Sequence, residues 1–408
     1  ADYIGAFLGA LAWVSLRTSA PLTELSFYLG MVNLAVAALT FAYFARLMDR
    51  LSAAVCASAL ALTAAAVIWG LQVAGGWTLS VEQKLYDAPI THVETTKFQH
   101  IVVTERSLPD GGPGGDTDVR VFINGNLQLS SLDEHIYHQN LVHPVMAAAA
   151  EHDRVLILGG GDGMALREVL AYPDVREVVL VDLDPRMIAL ARRHPTLSRL
   201  NAGAFEDARV HAQVPAGLES VGYRKIAYDR AGRGPDGPSV QVLNVDAEKF
   251  LRTAGGTFDV VIADLPDPNS IELAKLYSRE FYTALRGKLA PGGALVVQST
   301  SPYHARDAFV TIGRTLEAAG WRVAPYHDNV PSFGDWGWHI AWADARTPDT
   351  LRRQAARIPD DLSYLTPART RANFVFARGQ LESDRARPSS MMQPVVHSLY
   401  AENGWRTE

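Results

Sequence analysis

The stretch Val155-Leu156-Ile157-Leu158-Gly159-Gly160-Gly161-Asp162-Gly163 decides the fold of this 408-residue chain. An apolar strand followed at once by a glycine-rich turn is how a doubly wound α/β sheet begins a nucleotide site. Asp182 closes the next apolar run, Glu177–Val181, about 20 residues on, where such folds place an acid for a ribose hydroxyl. The segment Asp264-Leu265-Pro266-Asp267-Pro268 closes a third apolar run, Phe258–Ala263. We therefore predict an α/β fold that holds a nucleoside and a cationic or amine partner.

Strands and helices alternate through this part of the chain, as a parallel sheet with short crossovers requires. Predicted strands are Arg154–Leu158, Glu177–Asp182, Phe258–Ala263 and Ala294–Gln298, and predicted helices are Ala165–Ala171, Pro185–Arg193, Leu276–Lys288 and Ala305–Ala319. Arg322–His327 and Trp338–Ala343 are expected to form an antiparallel pair at one edge. The insertion Val214–Pro238 interrupts a further strand, with Arg209–Ala212 and Val240–Leu243 as its halves. A linker, a lid and a subunit contact all fit this insertion.

Two segments near the N-terminus are long and apolar enough to cross a membrane. Phe27–Leu47 is almost free of charge and Ala53–Gly76 carries none, and about 20 such residues span a hydrocarbon core as a helix. Tyr3–Leu16 is shorter and lacks an initiator Met, so we interpret it as the end of a helix whose start is missing. Helices buried in a soluble bundle are the alternative. A signal peptide is disfavoured, because no n-region or cleavage pattern is present.

Two arguments about membrane topology disagree, and one of them depends on Arg46 and Arg50. Because positively charged loops stay in the cytoplasm, this pair would place the rest of the chain outside. A nucleoside substrate is a cytosolic metabolite and requires the opposite. We expect the catalytic domain to lie in the cytoplasm.

Composition excludes several classes of protein. The net charge of −6, without a basic stripe, argues against a nucleic-acid partner. The single cysteine, Cys56, lies in an apparent membrane span, so neither a disulfide framework nor a cysteine-rich metal site is expected. A zinc site at His135, His138 and His143 is a minor alternative, and we predict no metal.

An alternating pattern indicates a small β-domain ahead of the α/β core. Thr91–Glu105 and Val119–Leu129 alternate as strands do, separated by the turn-rich Leu108–Gly115. Asn124-Gly125 is typical of a tight hairpin turn. We expect four parts: transmembrane helices (1–78), a small antiparallel β-domain (79–132), the catalytic domain (133–346, with the insertion at about 214–238) and a helical tail (347–408).

Further motifs extend the fingerprint on both sides of the glycine turn. They are Lys97-Phe98-Gln99-His100-Ile101, Asp133-Glu134-His135-Ile136-Tyr137-His138-Gln139, Gly161-Asp162-Gly163, Arg167-Glu168-Val169, Asp182-Leu183-Asp184-Pro185 and Asp264-x-x-Asp267-Pro268. Together they resemble the spermidine synthase family of aminopropyltransferases, from about Tyr86 to Asp344. The apolar N-terminus, Leu276–Tyr282, Val330–Gly334 and Tyr364–Pro367 resemble its membrane-embedded bacterial branch. This resemblance implies a Rossmann-like sheet of the class I methyltransferase type, an inner-membrane location and pairing into a homodimer.

The resemblance also implies a reaction. An aminopropyl group would pass from decarboxylated S-adenosylmethionine to putrescine or a related polyamine, releasing 5′-methylthioadenosine without a prosthetic group. The acceptor amine is protonated in water, with a pKa near that of lysine at about 10, and it repels the cationic donor. Carboxylates hold both cations, and one can receive the proton as the nitrogen attacks.

The resemblance assigns the acids to distinct roles. Asp264 is the general base and Asp267 seats the acceptor amine, with a helix N-cap as the alternative for Asp267. Asp162 binds the donor's propylamine, unless it only stabilises its turn. Asp182 takes the ribose hydroxyls beside the turn of Gly159 and Gly161. Asp246 contacts the adenine amino group.

The remaining candidates are mostly aromatic. Tyr137 is assigned to catalysis, and Gln99 and His138 to the surroundings of the donor and the attacking nitrogen, with buried core residues as the alternative. Phe333 stands where soluble relatives carry a tyrosine, which puts putrescine as the acceptor in doubt. Trp336 and Trp338 fit either cation–π contacts with a polyamine or an edge-strand core.

Two other functions fit parts of the pattern. A membrane-tethered S-adenosylmethionine-dependent methyltransferase would share the glycine turn and the ribose acid. A non-catalytic protein would bind a nucleoside or polyamine through the same fold. Methyl transfer needs no acids that seat a cation, so Asp264 and Asp267 together with Tyr137-His138 favour the aminopropyltransferase.

Overall fold

The computed structural model describes residues 22–112, 115–206, 210–211 and 239–403. The segment Tyr3–Leu16 and the insertion Val214–Pro238 lie outside the described residues. The chain forms two compact units, one ending at Lys97 with Val102–Arg106 added, and one of Phe98–Ile101 with Ser107 onwards. The division into four parts stays a prediction.

Two long helices dominate the first unit. They are α1 (Leu22–Phe44) and α2 (Arg50–Glu82), and Asp49 caps α2 by accepting from Leu51 N and Ser52 N. The candidate spans Glu24–Leu47 and Arg50–Leu85 have mean hydropathies of 1.8 and 2.2. Many of their large apolar side chains are exposed. By length and composition alone, both helices could cross a membrane.

An antiparallel sheet of four strands follows. Its strands are β1 (Ile90–Thr95), β2 (His100–Gly112), β3 (Gly115–Ile123) and β4 (Asn126–Ser130), in that order. The predicted hairpin at Asn124-Gly125 is confirmed, with φ of 50° and 81° in a two-residue turn. The predicted turn at Leu108–Gly115 is wrong in extent, because β2 continues to Gly112 and β3 starts at Gly115.

The second unit is built on a mixed sheet of eight strands. They are β5 (Arg154–Gly159), β6 (Glu177–Asp182), β7 (Val210–His211), β8 (Ser239–Asn244), β9 (Phe258–Asp264), β10 (Leu289–Gln298), β11 (Arg322–Val330) and β12 (Gly334–Trp342). Their order is β11-β12-β10-β9-β5-β6-β8-β7. Strand β12 is antiparallel to both of its neighbours, β11 and β10, and the remaining neighbouring pairs are parallel. The four predicted strands and the antiparallel edge pair are confirmed.

Helices cover both faces of this sheet. They are α3 (Glu134–Ala148), α4 (Met164–Leu170), α5 (Pro185–Arg193), α6 (Pro195–Leu200), α7 (Ala247–Thr253), α8 (Ile271–Ala274), α9 (Arg279–Arg286), α10 (Arg306–Ala318), α11 (Pro348–Gln354), α12 (Pro367–Asn373) and α13 (Val395–Asn403). Val155 and Ile157 of β5 pack in the cluster of α3 and α4, whereas Leu156 and Leu158 pack with α7, α9 and α10. This alternation follows from the two-residue period of a strand.

Two sequence predictions are wrong in detail. A single helix at Leu276–Lys288 is interrupted at Ser278, whose Oγ accepts from Phe281 N at 3.2 Å and so caps α9. Arg209–Ala212 and Val240–Leu243 are not two halves of one strand, because β7 lies parallel beside β8, with Val210 opposite Val240.

Candidate active site

The parallel strands β5, β6 and β9 end at one edge of the sheet, and a cleft of about 120 Å³ opens there. Ligands of open α/β sheets bind at this edge. The predicted site residues in the lining are Gln99, Tyr137, His138, Gly159, Gly161, Asp162, Asp182, Asp264, Asp267, Phe333 and Trp336. Val121, Leu129 and Met187 add apolar wall. The fold therefore brings distant motifs to one place.

The glycine turn needs glycine at two positions for steric reasons. A Cβ on Gly159, which has φ of +83°, would lie 1.9 Å from the backbone oxygen of Asp264. A Cβ on Gly161 would lie 2.6 Å from Oδ2 of Asp182. Both glycines let the backbone of the turn approach an acid closely.

Backbone amides donate hydrogen bonds to Asp182 and Asp162 beside the glycine turn. Asp182 accepts from Gly161 N at 3.0 Å and from Asp184 N at 2.8 Å. Burial raises the pKa of Asp182 to about 7, with the nearby charge of Asp162 acting in the same direction. Oδ1 of Asp162 accepts from Met164 N at 2.8 Å, so Asp162 does form the predicted Asx turn. Its Oδ2 lies 3.9 Å from Nε2 of His138, which leaves that oxygen facing the cleft.

A buried ion-pair chain holds His138 in place. Its Nδ1 donates to the backbone oxygen of Glu134 at 2.8 Å and lies 3.0 Å from the Glu134 carboxylate. Arg167 in turn binds both carboxylate oxygens of Glu134, at 2.8 and 3.1 Å. Burial alone lowers the pKa of His138, but the hydrogen bond to Glu134 and the charges of Asp162 and Glu134 outweigh it and raise it to about 9. These contacts favour the imidazolium form of His138 at neutral pH.

Asp264 and Tyr137 form one unit. The Tyr137 hydroxyl donates to Oδ1 of Asp264 at 2.7 Å across 127 residues of sequence. Burial and the charge of Asp162 raise the pKa of Asp264, against the opposing effects of His138 and Tyr137. Burial and the charge of Asp264 raise the pKa of Tyr137, so the phenol stays protonated. A carboxylate with a raised pKa is suited to accept a proton near neutral pH.

Asp267 is held by side chains alone. Gln298 Nε2 donates to its Oδ1 at 3.0 Å, and the Tyr400 hydroxyl donates to its Oδ2 at 2.8 Å. Burial raises the pKa of Asp267, although these two hydrogen bonds oppose the shift. Ser270 caps α8, with its Oγ accepting from Leu273 N at 3.2 Å. The predicted alternative of a helix N-cap at Asp267 is therefore wrong.

Aromatic rings line the cleft beside Tyr137. The centroids of Phe333 and Trp336 lie 6.0 and 6.5 Å from that of Tyr137, and 4.9 Å from each other. Trp338 is completely buried and stacks on Tyr326 at 5.4 Å. Of the two tryptophans that fitted either role, Trp336 lines the cleft and Trp338 belongs to the core.

Comparison with known proteins agrees with this geometry. A family model described as the spermine/spermidine synthase domain matches residues 134–231 and 223–352, more than half of the chain. The chain belongs to the spermine/spermidine synthase family. A polyamine aminopropyltransferase 1 of Streptomyces coelicolor is 39% identical over 99% of this chain and 69% of its own length. A polyamine aminopropyltransferase of Oceanobacillus iheyensis is 34% identical over 99% of this chain and 70% of its own.

A solved structure shows the same fold. A spermidine synthase in complex with the transition-state analogue AdoDATO matches with a TM-score of 0.57 at 22% identity, over 72% of this chain and 88% of that one. The mixed sheet and the N-terminal antiparallel sheet are therefore a spermidine synthase-like α/β fold.

Asp246, predicted to contact the adenine amino group, does not line the cleft. Its Oδ1 accepts from Lys249 N at 2.9 Å and caps α7, directly after β8. Gln298, Tyr400 and Glu134, whose hydrogen bonds support the acids and the histidine of the cleft, were not predicted as site residues. Glu134 lies in the quoted motif four positions before His138, a helical spacing that could have indicated their contact.

The family member also contains a cluster that could hold a cation. One ligand atom each from His138, Asp162 and Asp264 lies within 4.8 Å of the others. The predicted alternative of a three-histidine zinc site does not form, because His143 bonds Glu168 and Tyr172 while His135 packs on Tyr364. Because its surroundings favour the imidazolium form of His138, the two carboxylates suit an ammonium group better than a metal ion.

Proposed function

We propose that the protein transfers an aminopropyl group from decarboxylated S-adenosylmethionine to an amine, such as putrescine or a related polyamine, and releases 5′-methylthioadenosine. Its relatives, at 34–39% identity, are aminopropyltransferases, which makes this chain an enzyme of that class. The observation that carries the proposal is the convergence of Asp162, Asp264 and Asp267 on one cleft beside the glycine turn. Carboxylates so placed can hold two cationic substrates together.

The donor lies at the glycine turn in this proposal. Asp182 binds the ribose hydroxyls, and the close backbone at Gly159 and Gly161 leaves room for the nucleoside. Asp162 and His138 lie at the donor's propylamine, with Asp162 supplying the negative charge. Gln99 lines the donor's side of the cleft. Asp246, at the end of the strand next to Asp182, faces the adenine amino group once the nucleoside is bound.

The acceptor lies between Asp264 and Asp267. Asp267 binds its ammonium group, and the faces of Phe333 and Trp336 add cation–π contact. Asp264 takes one proton from the reacting ammonium group, and the neutral nitrogen then attacks the aminopropyl carbon bonded to sulfur. The carbon–sulfur bond breaks with its electron pair left on sulfur, which gives neutral 5′-methylthioadenosine and a secondary ammonium product. Tyr137 orients Asp264 through its 2.7 Å hydrogen bond.

Product analysis tests this function. Detergent-purified protein is incubated with decarboxylated S-adenosylmethionine and a panel of amines, and 5′-methylthioadenosine is followed by mass spectrometry. We expect this product only when an amine is present, and only trace amounts with Asp264→Asn. A parallel reaction uses S-adenosylmethionine. If S-adenosylhomocysteine alone forms, the protein is a methyltransferase, and binding without either product would make it non-catalytic.

We also infer that the protein belongs to the membrane-embedded branch, with α1 and α2 in the bacterial inner membrane and in contact with lipid. The two spans, with mean hydropathies of 1.8 and 2.2, support this. The chain would then divide into the four predicted parts, with the catalytic domain in the cytoplasm, where its nucleoside substrate is found, and two copies would pair. Alkaline extraction tests the anchoring: an integral protein stays in the membrane pellet, and release into the supernatant would contradict it.

A further inference from the structure

A residue from the far C-terminal part of the chain holds Asp267. Tyr400 in α13 donates its hydroxyl hydrogen to Oδ2 of Asp267 at 2.8 Å, opposite the Gln298 bond to Oδ1. Tyr400 is 7% exposed, and Val396 and Leu399 of the same helix are buried in the core cluster of the second unit. The position of the hydroxyl is thus fixed by the packing of α13.

A second, smaller cavity adjoins Asp267. Its volume is about 40 Å³, which corresponds to room for about three water molecules. Asp267, Phe333 and Trp336 line both this cavity and the main cleft, so the cavity continues the cleft beyond the acid. Tyr400 forms part of the wall, together with Gln128 of β4. An acceptor that reaches past Asp267 therefore meets Tyr400.

We propose that Tyr400 is a specificity-determining residue, which positions Asp267 and limits the length of the amine that the smaller cavity admits. The inference rests on the proposed function, since it assumes that an amine acceptor lies at Asp267. It extends that function by giving the C-terminal helix control over which amine is used.

Two physical effects support this role. A hydrogen bond from a hydroxyl to a carboxylate fixes the carboxylate rotamer, and such a bond to a charged group is strong. Without it, the buried Asp267 would hold the ammonium group less well. The phenol ring also occupies space, and a pocket distinguishes substrates that differ by one methylene by about 10-fold to 200-fold. A smaller residue at position 400 would open room for a longer chain.

Two substitutions separate these effects. Tyr400→Phe removes the hydroxyl and keeps the ring, while Tyr400→Ala also enlarges the cavity. Initial rates are measured with putrescine, cadaverine and spermidine, varying donor and acceptor separately. We expect Tyr400→Phe to raise the KM for the acceptor about tenfold with the donor KM unchanged. Tyr400→Ala should shift kcat/KM towards the longer amines by about tenfold relative to putrescine.

The matched control is Tyr303→Phe, which removes a hydroxyl from a tyrosine that is 73% exposed. The inference is overturned if Tyr400→Phe raises donor and acceptor KM equally, or if Tyr400→Ala leaves the kcat/KM of the longer amines relative to putrescine unchanged. A thermal unfolding midpoint of Tyr400→Phe equal to that of wild type would confirm that the variant remains folded. An inactive wild-type protein would instead refute the proposed function. The inference about Tyr400 could still be tested in that case, because titration calorimetry with 5′-methylthioadenosine present measures how tightly wild type and Tyr400→Phe bind putrescine. Equal affinities there would also overturn the inference.

Discussion

The two ends of the cleft are built in different ways. At the end proposed to bind the donor, defined by Asp162 and Asp182 and called the nucleoside end, backbone amides bind the acids, and the bonds span two residues to Met164 and 21 to Gly161. At the amine end, defined by Asp264 and Asp267, side chains do so across 127 residues to Tyr137 and 133 to Tyr400. One end depends on a local turn, and the other depends on how the whole second unit folds.

This difference has consequences for substitutions. Changes at the nucleoside end disturb backbone geometry, so they should weaken donor binding. Changes at the amine end remove one side-chain group each, so they should alter rate or selectivity while the donor still binds. Measuring donor affinity and turnover separately therefore tests the contrast.

Asp264→Asn should have the largest effect. Losing the proposed general base should lower kcat by about 10³-fold, because positioned proton transfer contributes that much. Donor affinity, followed by titration calorimetry, should change little since the nucleoside end is intact. A loss of donor binding equal to the loss of rate would contradict the separation of the two ends.

The same variant makes a prediction about stability. Burial raises the pKa of Asp264 in the folded state above the unfolded value of about 4. The folded state then binds the proton more tightly, so stability is lost as the pH rises through the folded pKa. Asparagine cannot ionise, so at alkaline pH the Asp264→Asn variant should melt at the same temperature as wild type or higher. A clearly lower melting temperature there would show that ionised Asp264 stabilises the fold.

Gly161→Ala should have the next largest effect, on the nucleoside end alone. The new Cβ would lie 2.6 Å from Oδ2 of Asp182, so that carboxylate must move. We expect the donor KM to rise by about tenfold to a hundredfold, because displacement of a substrate-positioning group by about 1 Å costs that much. Acceptor KM should stay constant. Gly287→Ala is the matched control, since its Cβ would meet only the oxygen of Ala284, at 3.4 Å.

The contrast also explains what the sequence could predict. The glycine turn, Asp162 and Asp182 are set by local pattern, and the structure places them together as expected. The strands of the α/β core followed from apolar runs with clear ends. Local information was thus sufficient for the nucleoside end and for the central sheet.

The sequence predictions were wrong or incomplete where tertiary structure or a single side chain determines the local structure. Ser278 ends one helical turn and caps the next, although the apolar spacing across it is helical. The pairing of β7 beside β8 depends on how the chain crosses over, which periodicity does not encode. Tyr400 reaches Asp267 only through the docking of α13, so no spacing in the sequence links the two.

Glu134→Gln should have a smaller effect, visible mainly in pH dependence. His138 is charged below its raised pKa of about 9 and neutral above it, and Glu134, Asp162 and Asp264 are the acids that favour the charged form. Removing the charge of Glu134 lowers this pKa, so the alkaline limb of kcat/KM should move to lower pH, by about one unit. Wild type and Glu134→Gln are measured with the same amine, so that protonation of the substrate affects both pH profiles equally. An unchanged limb would show that His138 does not take part.

Removal of metal ions by a chelator should have the smallest effect. It tests whether the cluster between the two ends of the cleft holds a metal ion. His138, Asp162 and Asp264 lie close enough to hold a metal ion, and they come from both ends of the cleft. Because the Nδ1 proton of His138 is held by Glu134 and its pKa is raised, the imidazole is a poor ligand at neutral pH. An ammonium group satisfies the two carboxylates instead. Dialysis against EDTA should change the rate by less than about twofold. A loss of activity that Zn²⁺ restores would mean that a metal ion, rather than the substrate's charge, joins the nucleoside and amine ends.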